Sequence, residues 1–290
     1  MPQWTSADLP RMDGRTVVIT GAGSGIGLVA ARELARVGAT VVAAVRDPAK
    51  ARSALSGMAG SVEIRQLDVS DLGSIRAFAD ATKGTIDVLV NNAGVMDIPA
   101  QRTDDGFDRQ TATNYFGPFV LTNLLADRIT DRVVSVTSQL HRLARLDLAD
   151  LDWRTRAYNP MQAYRDSKLA LVLFSLELQR RLTAAGSPVR SVLAHPGIAT
   201  TTLTAHSAAN RINRLRFLLN DPEHGALPIL YAATEDVPGN AYVGPDGLGS
   251  VKGHPVVRRP GKRGRDAETA RRLWDATAAL TGVSAVPAAA

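Results

Sequence analysis

From Arg15 onward the chain alternates two kinds of apolar spacing. Short β-branched runs predict strands: RTVVIT (15–20), ATVVAAV (39–45), VEIRQLD (62–68), IDVLVNN (86–92), DRVVSVTS (131–138) and PVRSVLAH (188–195). Between them, longer segments carry apolar residues at helical spacing: 25–38, 47–57, 71–82, 106–127 and 161–186. Asp47 followed by Pro48 reads as an N-cap and a first helical position. The strands are nearly continuous in apolar residues, as expected where both faces of a sheet are covered. Strand–helix alternation predicts right-handed parallel crossovers and a doubly wound α/β sheet. NAYVG (240–244) reads as a last edge strand. No linker interrupts the pattern, so residues 1–290 are expected to form a single Rossmann-fold domain, with 1–12 an N-terminal extension and 283–290 a frayed tail.

Composition narrows the class. The chain has 290 residues, 45% apolar and 21% charged, ample for a buried core and unlike a disordered segment. It has no cysteine, which excludes disulfides and thiolate metal sites. No metal site is expected. The N-terminus has no basic segment followed by an apolar one, and no run approaches a membrane span, so a soluble, cytoplasmic protein is expected. The net charge of +6 raises the question of nucleic acid. The dense basic run, 256–274, has a single aromatic and no nucleic-acid motif, so a solvated loop and helix face is expected instead.

Two stretches suggest chemistry. TGAGSGIG (20–27) lies at the first strand-to-helix junction, where glycines let the backbone approach a pyrophosphate and the helix N-terminus faces the anion. Counted from Gly21, the G-x-G-x-x-G form fails at its sixth position, Ile26, so the turn alone is weak evidence. In QAYRDSKLAL, Tyr164 precedes Lys168 by four residues, on one face of a helix. A phenol is poorly matched to neutral pH unless a nearby cation favours the phenolate.

With both in hand, the sequence resembles the short-chain dehydrogenase/reductase family. The motifs appear in family order: TGAGSGIG, LDV (67–69), NNAG (91–94), Asn114 in ATNYFG, Ser138 in VSVTS, YRDSK (164–168) and HPG (195–197). AAVRDPAK, QLHR, AYRDSKLALVLF and HPGIATTTL look most like the retinol-dehydrogenase-like branch. The resemblance implies hydride transfer between a nicotinamide cofactor and an alcohol/carbonyl pair. Tyr164 would be the acid/base, Lys168 would lower its pKa together with the nicotinamide charge and would bond the ribose, Ser138 would donate to the substrate oxygen, and Asn114 would anchor a proton-relay water. Cofactor contacts are implied at Gly21, Ser24, Gly25, Ile26, Gly27, Arg46, Asp68, Val69, Asn92, Ala93, Gly94, Tyr164, Lys168, Pro196, Gly197, Ile198 and Thr201. His195 reads as structural.

NADP(H) is expected over NAD(H). Val45 stands where NAD-dependent relatives place an acidic residue, and Arg46 could fork onto a 2′-phosphate. Ser24, however, stands where many NADP-dependent members carry a base. The interval from Ser138 to Tyr164 is long, and its residues 142–161 are either a surface excursion or a wall over the substrate site. A sizeable apolar carbonyl compound is the expected small-molecule partner. A homo-oligomer is possible through the helices of Asn114 and Tyr164, as family members often form. Two other readings remain: a C=C reductase of the same family, or a catalytically silent nucleotide-binding member.

Overall fold

The computed structural model describes residues 3–197 and 221–283. Eight strands form one sheet in the order β3-β2-β1-β4-β5-β6-β7-β8. They span Thr16–Thr20 (β1), Thr40–Val45 (β2), Ser61–Gln66 (β3), Ile86–Asn91 (β4), Ile129–Val136 (β5), Arg190–Ala194 (β6), Tyr242–Pro245 (β7) and Pro255–Arg258 (β8). The first seven pair in parallel, and β8 closes the edge antiparallel to β7. The expected last strand is therefore only the penultimate one. The strand order reverses between β1 and β4, which opens a crevice at their C-terminal ends.

Helices α1 (Gly25–Arg36), α2 (Pro48–Leu55) and α3 (Leu72–Ala81) follow the first three strands. The expected helix over 106–127 is shorter and irregular. It runs as α4 (Arg109–Thr111), a π-helical segment (Ala112–Phe116) and α5 (Gly117–Leu124). α6 covers Pro160–Ala184, α7 Pro222–Thr234 and α8 Ala267–Thr281. Short polar side chains start most of them. Asp47 accepts from Lys50 N at 3.0 Å, Asp71 from Ser74 N at 3.0 Å, Asn159 from Gln162 N at 2.9 Å and Asp221 from His224 N at 2.8 Å. Each cap satisfies an otherwise orphaned first-turn donor.

The core forms on both faces of the sheet. α1, α2 and α7 cover one face, and α3, α5 and α6 cover the other. Residues 3–12 are more than a loose extension, because Leu9 and Met12 are buried and the Trp4 ring meets Tyr231 of α7 edge-on at 5.2 Å. α8 lies across α5 and α6. Its Trp274 stacks on Phe174 at 5.6 Å and meets Phe119 edge-on at 4.9 Å, and Thr277 Oγ1 bonds Tyr115 Oη at 2.7 Å. The basic run 256–274 thus ends in a packed helix whose tryptophan is buried. Residues Gly117–Asn123 of α5 are all buried, so α5 keeps almost no free face for a second copy of the chain.

Candidate active site

The crevice begins where β1 and β4 end. Gly21 and Gly25 have φ of 69° and 55°, a region that L side chains rarely adopt. Gly27 is required for another reason: a Cβ there would stand 2.6 Å from Gly21 O and would run into the Asn92 amide. Helix α1 therefore packs directly on the turn, with its first N–H groups aimed into the crevice. Ser24 caps it with an exposed side chain that makes no capping bond, beside half-buried Ile26.

Thr20 holds the two strand ends together. Its Oγ1 accepts from Asn92 N and Ala93 N, both at 3.0 Å, and its carbonyl accepts from Asn92 Nδ2 at 2.8 Å. The family resemblance implied cofactor contacts at Asn92, Ala93 and Gly94 but gave Thr20 no role. A hydroxyl on the last strand residue before a glycine turn was the available signal.

Arg46 is exposed just past β2, after the buried Val45. The Asp47 carboxylate is engaged as the cap of α2, as the Asp47-Pro48 reading required. Asp68 lies past β3 with Oδ1 accepting from Ser70 N at 2.9 Å and Ser70 Oγ at 2.6 Å. Val69 is buried against the start of α5, where Gly117 leaves no space for a side chain.

The four residues with implied catalytic roles come together at the ends of β4 and β5. Asn114 lies in the π-helical segment, fully buried. Its Oδ1 accepts from Val95 N at 2.8 Å, and its Nδ2 donates to Val95 O at 2.9 Å and Ser167 Oγ at 3.0 Å. Ser167 Oγ in turn donates to Tyr164 O at 2.8 Å, a link between Asn114 and Tyr164 that the sequence reading missed inside its own YRDSK motif. Lys168 Nζ donates to Val136 O at 2.9 Å and stands 5.8 Å from the Tyr164 ring centre. Thr137 Oγ1 donates to Lys168 O at 3.1 Å, which fastens α6 to the end of β5. A Cβ on Gly94 would meet Asn114 Oδ1 at 3.2 Å and Lys168 Nζ at 3.5 Å, so these groups surround one small space.

Ser138 follows β5 and caps a 3₁₀ turn, Gln139–Leu143. Its Oγ accepts from Leu140 N at 3.3 Å, which leaves its own proton free to donate. Burial pushes the Tyr164 phenol up, and the Ser138 hydroxyl opposes that shift. Burial pushes the Lys168 ammonium down to about 8. The expectation that Lys168 and the nicotinamide charge together lower the phenol concerns the enzyme with its cofactor bound. In this structure desolvation is the leading influence on both groups.

His195 is buried with its pKa held down at about 4 by burial, and Nε2 lies 3.2 Å from Ser250 O. That fits the structural reading. Pro196 and Gly197 follow, half-buried, with Gly197 at φ 77°. Ile198, Thr201 and the rest of 198–220 lie outside the described residues.

The long interval before Tyr164 is tied down by carboxylates. Asp152 Oδ1 accepts from Asp108 N at 2.6 Å, while Arg102 Nη1 bonds its Oδ2 at 2.9 Å. Asp150 accepts from Arg154 N, Thr155 N and Arg156 N at 2.6–3.2 Å. Asp166 Oδ1 accepts from Arg145 N at 2.7 Å. Trp153 is buried under Arg156, whose guanidinium carbon stands 3.7 Å above the ring centre, and meets Tyr158 edge-on at 5.6 Å. Tyr158 Oη donates to Ile98 O at 3.4 Å, in the loop that follows NNAG. The interval is thus anchored by its carboxylates and packed around Trp153. The tryptophan is its internal core, and Tyr158 is its link to the loop beyond β4.

Comparison with known proteins agrees with this geometry. The family description "short chain dehydrogenase" matches residues 15–148. Human retinol dehydrogenase 13 is 38% identical, over 94% of this chain and 86% of its own length. Polyprenol dehydrogenase of Mus musculus is 39% identical over the same shares. A crystal structure of a putative uncharacterized protein from Mycobacterium paratuberculosis superposes with a TM-score of 0.88 at 49% identity, covering 99% of this chain and 100% of that one. The chain belongs to the short-chain dehydrogenase/reductase family, in its retinol-dehydrogenase-like branch, and is an NAD(P)-dependent oxidoreductase acting on the alcohol/carbonyl pair.

Proposed function

We propose that this enzyme interconverts a long apolar alcohol and its carbonyl compound, with NADP(H) as the preferred cofactor and Tyr164 as acid/base. The observation that carries the reading is the convergence of Gly94, Asn114 Oδ1 and Lys168 Nζ around one small space, with Tyr164 and Ser138 beside it. The glycine cradle at Gly21 and Gly27 and the open N-terminus of α1 suit a dinucleotide pyrophosphate. Gly25, Ile26 and Ser24 would hold it, with Asp68 and Val69 on the adenine side and Pro196 and Gly197 at the nicotinamide. The bound cofactor supplies or accepts the hydride.

The chain's own residues handle the oxygen. Ser138 Oγ, its acceptor side filled by Leu140 N, donates to the substrate oxygen and polarises the carbonyl. Tyr164 Oη delivers a proton to that oxygen as an alcohol forms and takes one back in the reverse direction. Lys168 holds its charge at the phenol, and Asn114 fixes the loop at Val95 against α6. For the phenolate to be used near neutral pH, a positive charge beyond Lys168 has to reach Tyr164, which the oxidised nicotinamide carries. Arg46 would receive the 2′-phosphate, because Val45 cannot accept from a ribose hydroxyl and Asp47 is engaged as a cap.

The relatives named for retinol and polyprenol point to an isoprenoid alcohol or aldehyde. Among the described residues no helix is long and apolar enough to cross a membrane. The test is turnover of retinal and of shorter and longer isoprenoid aldehydes with NADPH and with NADH, with the product identified by NMR. The expected product is the alcohol, formed faster with NADPH. A product saturated at C=C with the aldehyde intact, or no turnover despite tight NADPH binding, would overturn the reading.

A further inference from the structure

His141 is fully buried in the turn that Ser138 opens, and both of its ring nitrogens are engaged. Nε2 accepts from Gly261 N at 2.9 Å, so that nitrogen carries no proton. The proton is therefore on Nδ1, which donates to Ser138 O at 2.6 Å, and the His141 backbone N–H donates to the same carbonyl at 3.0 Å. The ring packs against Tyr242 at 5.7 Å, whose Oη donates to Gln139 Oε1 at 3.2 Å. Gly261 belongs to the connection between β8 and α8. A Cβ there would stand 3.0 Å from Arg142 Cγ and 3.3 Å from His141 Nε2. Two further bonds stitch the same segments: Arg142 Nη2 to Arg259 O at 2.9 Å, and Arg263 Nη1 to Ala144 O at 2.5 Å.

We propose that His141 is a positioning residue for catalysis: through its Nδ1 bond it fixes the Ser138 carbonyl so that the Ser138 hydroxyl faces Tyr164. The proposal rests on the role given to Ser138 above. A plain packing role would predict that any variant losing one of the two ring bonds behaves alike. Aiming predicts that the two bonds differ, because only the Nδ1 bond reaches Ser138.

Two substitutions separate them. In His141→Asn the amide reaches the Nδ1 position and can donate to Ser138 O, but the partner of Gly261 N is lost. In His141→Gln the amide reaches the Nε2 position and can accept from Gly261 N, but the partner of Ser138 O is lost. The full-length enzyme is assayed with NADPH and retinal. Both variants should show comparable melting temperatures and wild-type NADPH Kd. kcat should stay within about threefold of wild type for His141→Asn and fall roughly 10- to 100-fold for His141→Gln, the scale of a misplaced reacting group. In a Ser138→Ala background that difference should vanish, since no hydroxyl is left to aim. Gly261→Ala, which crowds the same ring from the other side, should also lower kcat without changing NADPH Kd.

Equal kcat for the two His141 variants, persistence of the deficit on Ser138→Ala, or wild-type kcat in Gly261→Ala would each overturn the inference. Failure of the underlying reading has a different signature: wild-type enzyme that does not turn over retinal, or Ser138→Ala with undiminished kcat. Either of these removes Ser138 from the chemistry and the inference with it.

Discussion

At Tyr164 and Lys168 burial works against both partners. The phenol is pushed up and the ammonium down to about 8, so each is biased toward its neutral form. Tyr164→Phe should lower kcat by roughly 10²- to 10⁴-fold while NADPH Kd stays near wild type, because only the proton step loses its donor. Stopped-flow turnover beside a fluorescence titration of NADPH checks both halves. The lysine has a consequence for stability as well. Between about pH 8 and the ordinary lysine value the unfolded chain holds a proton that the folded chain has released. Stability contributed at this site therefore rises with pH across that window. Compared with Lys168→Met, the cofactor-free wild type should gain about 2–3 kcal/mol between pH 7.5 and pH 10 in urea unfolding. A flat difference would mean that the buried lysine keeps its ordinary pKa. Arg46 is the third test at this scale. Arg46→Ala should weaken NADPH roughly 10- to 150-fold and leave NADH nearly unchanged, the worth of one charged hydrogen bond. Tighter binding of NADH than NADPH by wild type would refute the NADP(H) preference.

Elements explain which parts of this architecture could be read from the sequence. Strands β1, β2 and β4 to β6 were legible because each is a largely buried apolar run. The edge strand β3, half-buried or exposed throughout, was legible through the alternation of Val62 and Ile64. The predicted limits differ from the observed ones by one to two residues in most cases. The caps of α2 and α6 were written in Asp47-Pro48 and Asn159-Pro160, although only the first was recognised. The π-helical turn at Asn114 was not legible. Its cause is the tertiary bonding of Asn114 to Val95 and Ser167, contacts 19 and 53 residues away. β8 has four residues and, among the described residues, pairs with β7 alone, too short for alternation to register. α7 carries Pro228 inside it, a residue that argues against a helix, and α8 begins inside the basic run, where a solvated helix face was expected and the burial of Trp274 was not. The interval before Tyr164 is the least readable, because backbone-to-carboxylate bonds from Asp150, Asp152 and Asp166 hold it and regular periodicity does not. Trp153 sits at its centre with φ 54°. Trp153→Ala should loosen Tyr158 and raise the KM for retinal on the order of tenfold, with NADPH Kd within about twofold of wild type. An unchanged KM would detach this interval from substrate binding.

Across the whole molecule, the same packing that completes the core settles which surfaces are left for other chains. α8 covers α5 and α6, the pair through which relatives often associate, with Trp274 between Phe119 and Phe174. Wild-type protein should therefore run as a monomer in size-exclusion chromatography with light scattering. Trp274→Ala, which removes a buried aromatic worth about 3–5 kcal/mol, should lower the melting temperature and shift the protein toward dimers or aggregates. A wild-type dimer would show that a different surface carries association. The covering helix also sets an order of events during synthesis. Trp274 leaves the ribosome 100 residues after Phe174, the difference of their positions in the chain. At about 5–20 residues per second that is an interval of roughly 5–20 s. Throughout it the nascent chain displays an aromatic surface that nothing of its own can yet shield, so the need of this enzyme for a holding chaperone should be greatest just before translation of α8 is complete.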